Sequence, residues 1–125
     1  MTAYTAAKAA YSTPNFATRS PRSTEYELIG RVTQTLRRAI ESKDQNYPAY
    51  VAALHDNRRL WVALATNVAD TANELPGDLR ARLFYLSEFT LQHTRAVLVG
   101  EGSAEVLVEI NGAVMEGLQP GARAA

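Results

Sequence analysis

The sequence predicts an all-α protein, a compact up-and-down bundle of four main helices preceded by a short N-terminal helix. Apolar residues recur three and four positions apart through four long stretches, which is the helical period. Segments containing proline or glycine separate these stretches and are short, and short connections favour antiparallel neighbours. No stretch alternates between apolar and polar residues as a strand would. With 125 residues, the chain is predicted to form one domain over residues 1–125.

The N-terminal segment is rich in alanine and predicts a helix of about ten residues with Tyr4, Ala7 and Tyr11 on one face. A helix of this length is marginal in water, so we expect it to persist only if it docks against the rest of the protein. Residues 12–20 contain Pro14 and are predicted to form a loop.

The first long helix has a clear start signal, and the second has a regular apolar seam. Ser20 followed by Pro21 is a hydroxyl cap followed by proline at the first helical position, and this helix should end around residues 42–44. The second is predicted over residues 48–72. Its seam repeats at intervals of four and three residues and contains one polar position, as follows: Tyr50, Leu54, Asn57, Trp61, Leu64 and Val68.

The last two helices repeat this spacing. The third is predicted to open at Pro76 and to end at Gly100 in a left-handed cap. Apolar side chains surround most of it, so it is either the central helix or the helix that meets a partner. The fourth begins at Ser103, and residues 119–125 should fray. The two seams are Leu79, Leu83, Leu86, Thr90, His93 and Val97, and then Leu107, Asn111, Val114 and Leu118.

Composition argues against most kinds of chemistry. Cysteine is absent, which excludes disulfides and thiolate metal sites, and the two histidines lack metal-binding spacing. We therefore predict no catalytic residues, no cofactor, no metal and no enzymatic activity. Thirteen basic and thirteen acidic residues give a net charge of zero. We therefore do not expect direct binding to nucleic acid. No apolar run is long enough for a membrane span and the first residues lack the features of a secretion signal, so we expect a cytoplasmic protein.

Charge is distributed unevenly along the chain. Residues 1–40 carry six basic and two acidic groups, whereas residues 96–125 carry one basic and four acidic groups. Either the two ends lie side by side and complement each other, or they form a bipolar surface that orients a partner.

Three polar residues, Asn57, His93 and Asn111, fall on the apolar seams. An amide buried without a hydrogen-bond partner costs on the order of 1–3 kcal/mol. We therefore expect at least two of the three to bond to each other or to backbone, and so to fix the register of the helices.

The order of several short motifs resembles the FlaF family of flagellar biosynthesis regulators from alphaproteobacteria. The resemblance runs from Ala3 to Leu118 and rests on their order and spacing rather than on one motif. It is carried by the Ala-Tyr pair at 3–4, Ser-Pro-Arg at 20–22 with Glu-Tyr-Glu-Leu-Ile-Gly at 25–30, Leu-x-x-Asn-Arg-Arg-Leu-Trp at 54–61, Asn-x-Leu-Pro at 73–76, Leu-Arg-Ala-x-Leu at 79–83, and Ile110-Asn111 with Met115, Gly117 and Leu118.

The resemblance implies a non-enzymatic protein of flagellar assembly whose partners are flagellin and an FlbT-type regulator. Such a protein would act as a flagellin-binding export chaperone. The alternative is post-transcriptional control of flagellin mRNA by RNA contact, direct or through FlbT, and a helical module without its own ligand remains a third possibility. The residues expected at the partner surface are Asn57, Arg58, Arg59, Trp61, Leu75, Pro76, Phe84, Tyr85 and Phe89.

Overall fold

A computed structural model of the protein describes residues 21–70, 72 and 75–118. These residues form four helices, α1 (Pro21–Glu41), α2 (Tyr47–Ala69), α3 (Gly77–Leu98) and α4 (Glu105–Leu118), and contain no strand. The all-α bundle predicted from the sequence is therefore confirmed. The predicted N-terminal helix, the 12–20 loop and the 119–125 tail lie outside the described residues.

The start of α2 has a local cause, whereas its end depends on a contact from α3. The side-chain oxygen of Asn46 accepts a hydrogen bond from the N–H of Ala49 at 3.2 Å, which caps the first turn. The helix ends at Ala69, three residues before the predicted position. Arg80 of α3 holds this end, because its Nε donates to the carbonyl oxygen of Val68 at 3.0 Å and so satisfies a carbonyl left open by the end of the helix.

The turn between α3 and α4 follows the predicted chemistry. Gly100 has a φ of 81°, the left-handed conformation that glycine adopts without steric cost. The next residue, Glu101, donates its N–H to the carbonyl oxygen of Ala96 at 2.7 Å and so closes the end of α3. The hydroxyl of Ser103 then accepts the N–H of Glu105 at 3.2 Å, which caps α4.

The four helices run antiparallel to their neighbours. Midway along α1, a Cβ built on Gly30 would lie 3.4 Å from the end of the Met115 side chain on α4. Thr33, one turn later on α1, bonds to Asn111, one turn earlier on α4. Asn67, near the end of α2, donates to Glu25 of α1 at 3.4 Å. The beginnings of α1 and α3 and the ends of α2 and α4 therefore share one end of the bundle, which we call the lower end.

The core divides into two apolar clusters stacked along the bundle. The lower cluster surrounds Trp61, which is completely buried, and the upper cluster surrounds Leu36, Leu54 and Leu107. Helix pairs α1–α2, α2–α3 and α1–α4 pack closely, whereas α3 and α4 meet the least. The ring of helices is thus loosest between α3 and α4. Among the described residues, no helix has the length and apolar character needed to cross a membrane.

Candidate functional site

A hydrogen-bonded cluster of polar side chains lies inside the bundle and is centred on Asn111 of α4. The side-chain oxygen of Asn111 accepts the indole N–H of Trp61 at 2.9 Å. Its amide nitrogen donates to the side-chain oxygen of Asn57 at 2.7 Å and to the hydroxyl oxygen of Thr33 at 3.0 Å. Both Asn111 and Asn57 are completely buried. One side chain therefore links α4 to α1 and α2.

The surrounding groups determine how this cluster is arranged. The Thr33 hydroxyl donates to the carbonyl oxygen of Ile29 at 2.6 Å, so it is free to accept from Asn111. Two buried polar atoms, Nδ2 of Asn57 and Oγ1 of Thr90, have no hydrogen-bond partner among the described residues. None of its four members, Thr33, Asn57, Trp61 and Asn111, is ionisable, so the cluster suits a role in helix register rather than acid–base chemistry.

His93 lies away from this cluster. It is half-buried, and its Nε2 lies 2.8 Å from the carbonyl oxygen of Ser103, so that nitrogen carries the hydrogen. Its ring stacks on Phe89 with ring centres 5.6 Å apart. Gly102 makes the contact possible, because a Cβ there would lie 3.1 Å from the imidazole. His93 thus bonds to backbone and joins α3 to the turn before α4.

The residues predicted for the partner surface do not form one patch. Asn57 and Trp61 are completely buried and offer no surface to a partner in this structure. Arg58 and Arg59 are exposed on α2, and Leu75 is half-buried beside the lower cluster with Pro76 exposed next to it. The three remaining residues of this set, Phe84, Tyr85 and Phe89, are exposed and lie on α3.

The aromatic residues of α3 themselves lie on two sides of that helix. At 3.6 residues per turn, Phe84 and Phe89 are about 140° apart around the axis. Their exposures are nearly equal, 43% and 41%. Phe89 is one turn from Leu86, which lines the space between α3 and α4. Phe84 is on the far side of the helix from that space.

The space between α3 and α4 is an apolar groove at the lower end of the bundle, which we call the α3–α4 cleft. It measures about 160 Å³, and α3 and α4 are the neighbouring helices that meet the least. Phe89, one turn after Leu86, is exposed and extends its α3 rim. The cleft is lined by Leu79, Arg82, Leu83, Leu86, Ala113, Val114 and Gly117.

The sequence prediction missed the α4 wall of this cleft. Ala113 and Gly117 are both exposed and lie four residues apart, so they share one face of α4. This pair of small residues was the available signal. It shows where a neighbour could approach closely, but it does not say whether a neighbour is there.

A second groove lies between α1 and α2, on the opposite side of the ring from the α3–α4 cleft. It measures about 230 Å³ and combines an apolar floor, which includes Leu28 and Leu60, with a charged rim formed by Arg31, Asp56 and Arg59. Arg59 pairs with Asp56 at 3.6 Å. This ion pair is largely exposed, so it contributes little stability and leaves the arginine available to a partner.

Two ionisable groups with shifted pKa values flank the upper end of the bundle. The Ser103 hydroxyl donates to Glu105 at 2.7 Å and, with the backbone N–H of Glu105 and nearby Lys43, holds the pKa of that carboxyl below its usual value. Burial raises the pKa of Tyr50, with smaller contributions from Tyr47 and Glu105. Among the described residues, no group of three or more potential ligands could hold a metal ion.

Comparison with known proteins identifies the family. The model of the family described as flagellar protein FlaF matches residues 7–118, which is most of the chain. The chain belongs to the FlaF family. It is therefore a flagellar protein, and the resemblance drawn from its motifs is confirmed. Neither the curated proteins nor the solved structures include a match to this FlaF-family chain.

The matched range includes every element described above. It covers all four helices and both grooves, and it begins at Ala7, inside the segment that precedes α1. The features of the bundle and part of that segment therefore belong to the FlaF domain itself.

Proposed function

We propose that this FlaF-family protein is a flagellin-binding export chaperone, acting through protein contacts rather than catalysis and working with an FlbT-type regulator. The observation that supports the proposal most directly is the α3–α4 cleft in a protein that belongs to a flagellar family. The cleft has an apolar floor. Exposed Phe89 lies at its rim, and exposed Tyr85 lies one turn before Phe89 on the same helix. Exposed aromatic residues beside an apolar groove are typical of a surface that binds another protein.

The expected ligand at the cleft is an amphipathic helix of flagellin. A subunit awaiting export has to be kept from polymerising, and a bundle can do this by covering the apolar face of a helix. The floor supplied by Leu79, Leu83 and Leu86 offers apolar contact along about two turns of α3. The small Ala113 and Gly117 let a helix approach the α4 side closely.

The groove between α1 and α2 suits the second partner. Its rim carries Arg31 and Arg59. Arginines around an apolar floor favour an acidic partner surface. We therefore assign flagellin to the α3–α4 cleft and the FlbT-type regulator to the α1–α2 groove, so that both can bind together.

A pair of matched variants tests the flagellin site. Phe89→Ser removes an aromatic side chain from the cleft rim, whereas Phe84→Ser removes an equally exposed one from the far side of the same helix. Calorimetric titration with flagellin should show binding about 5- to 30-fold weaker for Phe89→Ser, typical of losing an interface aromatic. Phe84→Ser should bind as the unmodified protein does.

Two outcomes would refute this assignment. Equal losses of flagellin affinity in both variants would mean that these α3 side chains contribute only to the stability of the fold. Circular dichroism identifies that case, because both variants would then lose helicity. Undiminished flagellin binding by a folded Phe89→Ser protein would remove the cleft from the flagellin site. Binding to flagellin mRNA that weakens steeply with salt, in the absence of FlbT, would favour the RNA alternative instead.

A further inference from the structure

A polar pocket lies at the upper end of the bundle, where α1 ends and where α2 and α4 begin, and we call it the upper pocket. It measures about 340 Å³ and shares no lining residue with either groove described above. That volume lies at the lower limit of pockets that bind small organic groups. The upper pocket is lined by Ile40, Glu41, Lys43, Asp44, Tyr50, Gly102, Ser103, Ala104 and Glu105.

The charges around the upper pocket favour a cation. Its carboxylates are those of Glu41, Asp44 and Glu105, whereas Lys43 is the one basic side chain among the described residues that line it. Within the described part of the chain, Glu41 and Asp44 take part in no ion pair. The end of α1 at Glu41 adds the negative end of a helix, and Glu105 in the first turn of α4 offsets the positive end of that helix.

Tyr50 gives a second and independent indication of a ligand. Its side chain is only 5% exposed, yet its hydroxyl forms no hydrogen bond to any described residue. The hydroxyl is not enclosed as Oγ1 of Thr90 is, and Tyr50 lines the upper pocket, so its polar end opens onto that space. Lys43 lies over the ring with its Nζ 5.3 Å from the centre, which leaves the hydroxyl for a ligand. A nearly buried oxygen of this kind is suited to accept a hydrogen bond.

We propose that the upper pocket binds an arginine side chain presented by a partner protein. Its acceptors come from three segments, because Asp44 lies in the turn after α1, Tyr50 lies on α2 and Glu105 begins α4. The Ser103 hydroxyl donates to Oε1 of Glu105 at 2.7 Å and so holds that carboxylate in place. A guanidinium group has five N–H donors spread around one plane, so it reaches acceptors on separate segments better than the compact ammonium group of lysine.

This site goes beyond the proposed function and does not depend on it. The α3–α4 cleft offers an apolar floor to a helix, and the α1–α2 groove offers arginines to an acidic surface. The upper pocket instead offers carboxylates and a phenol to a basic group. It therefore adds a third contact of opposite charge preference to the α1–α2 groove.

A titration with blocked peptides tests the proposal on the full chain. The probe is acetyl-Ala-Arg-Ala-amide, followed by the backbone amide signals of the protein in NMR spectra. We expect saturable shifts of the signals of Asp44, Ser103 and Glu105 at millimolar peptide. The peptide with citrulline in place of arginine keeps the shape without the charge and should give no saturable shift. The peptide with lysine should bind at least about threefold more weakly than the arginine peptide.

Two tyrosines one turn apart on α2 provide matched variants. Tyr50→Phe removes the hydroxyl and keeps the ring that packs in the upper cluster, so the fold is retained. It should weaken binding of the arginine peptide about three- to tenfold, as expected for the loss of one hydrogen bond. Tyr47→Phe removes a hydroxyl from an exposed residue that does not line the pocket, and binding should be unchanged. Asp44→Asn, in the exposed turn, should also weaken binding while helicity stays the same.

The outcomes separate the proposal from its alternatives. The absence of saturable shifts at millimolar arginine peptide would overturn it, and so would equal binding of the arginine and citrulline peptides. Undiminished binding by a folded Tyr50→Phe or Asp44→Asn protein would place the arginine elsewhere. Equal binding of the lysine peptide would overturn the selection of a guanidinium group. Flagellin and the FlbT-type regulator are absent throughout, so failure here is distinct from failure of the proposed function.

Discussion

At the scale of single residues, Asn111 is the side chain on which the interior depends most. It uses its oxygen and both hydrogens of its amide to bond with Trp61, Asn57 and Thr33, which come from two other helices. A leucine at this seam position would pack equally well in a simple bundle, but it would not discriminate between registers. We expect Asn111 to discriminate, because a slip of either neighbouring helix would leave buried polar groups without partners.

Replacing Asn111 with alanine should therefore lower the free energy of unfolding by about 3 kcal/mol. The change removes three hydrogen bonds, leaves the indole N–H of Trp61 and the oxygen of Asn57 unpaired, and opens a small void. The loss in the free energy of unfolding is measured by urea unfolding, monitored by circular dichroism and by the fluorescence of Trp61. Glu109→Ala, exposed on the same helix, is the control and should shift stability by less than about 0.5 kcal/mol. Similar losses in both variants would contradict a special role for Asn111.

The sequence indicated part of this arrangement. Helical spacing placed Asn57, His93 and Asn111 on seams, and the first and third lie together in the interior. Spacing within one helix does not say which residues of other helices lie opposite, so the roles of Thr33 and Trp61 in the cluster were not predictable. His93 is not part of this cluster. Its ring nitrogen bonds instead to the carbonyl oxygen of Ser103 in the adjacent turn.

At the scale of helices, local capping chemistry accounts for the start of α2, the end of α3 and the start of α4. The signals at Gly100 and Ser103 depend on residues close in sequence and were visible in advance. The end of α2 was not visible in advance, because the residue that satisfies its open carbonyl, Arg80, belongs to α3. Ends set by neighbours in sequence are predictable, whereas ends set by tertiary contacts are not.

Removing the cap of α4 should destabilise the protein and alter its response to acid. Ser103→Ala deletes the hydroxyl that caps the helix, at a cost of about 1 kcal/mol. The same hydroxyl lowers the pKa of Glu105 from its ordinary value of 4.5. A carboxyl with a lowered pKa in the folded state stabilises the protein above its unfolded pKa, and this stabilisation is lost as pH falls through the folded value.

The stability of Ser103→Ala should consequently fall less between about pH 6 and pH 3 than that of the unmodified protein. Thermal unfolding across this range, followed by circular dichroism, measures the difference. Ser103→Thr keeps the hydroxyl and should retain the original acid dependence. An identical slope in the alanine variant would show that the hydroxyl contributes nothing to the titration of Glu105.

At the scale of the whole molecule, the bundle was predictable and the cleft was not. Four stretches with helical spacing and short turns leave few arrangements other than an antiparallel bundle. The distance between α3 and α4 depends on how side chains from both helices meet. The apolar surroundings of α3 were compatible with a central helix or a partner-binding one. The structure shows α3 at the edge of the cleft, with Tyr85 and Phe89 exposed.

The position of the two grooves on opposite sides of the bundle gives a prediction about both partners. Replacing Arg58 and Arg59 together with alanine removes Arg59 from the rim of the α1–α2 groove and leaves the residues that line the α3–α4 cleft unchanged. Both arginines are exposed, so helicity should be unchanged and stability should shift by less than about 1 kcal/mol. Affinity for the FlbT-type regulator should fall about tenfold, typical of losing arginines at an interface, while affinity for flagellin stays the same.

Separate calorimetric titrations of this double variant and of Phe89→Ser provide the decisive comparison. If the two grooves serve two partners, each variant weakens one interaction and spares the other. Loss of both interactions in either folded variant would mean that the partners share one surface, because damage on opposite sides of a stable bundle does not otherwise affect the same contact. The unaltered binding in each pair also serves as the control for folding, since a misfolded variant would lose both.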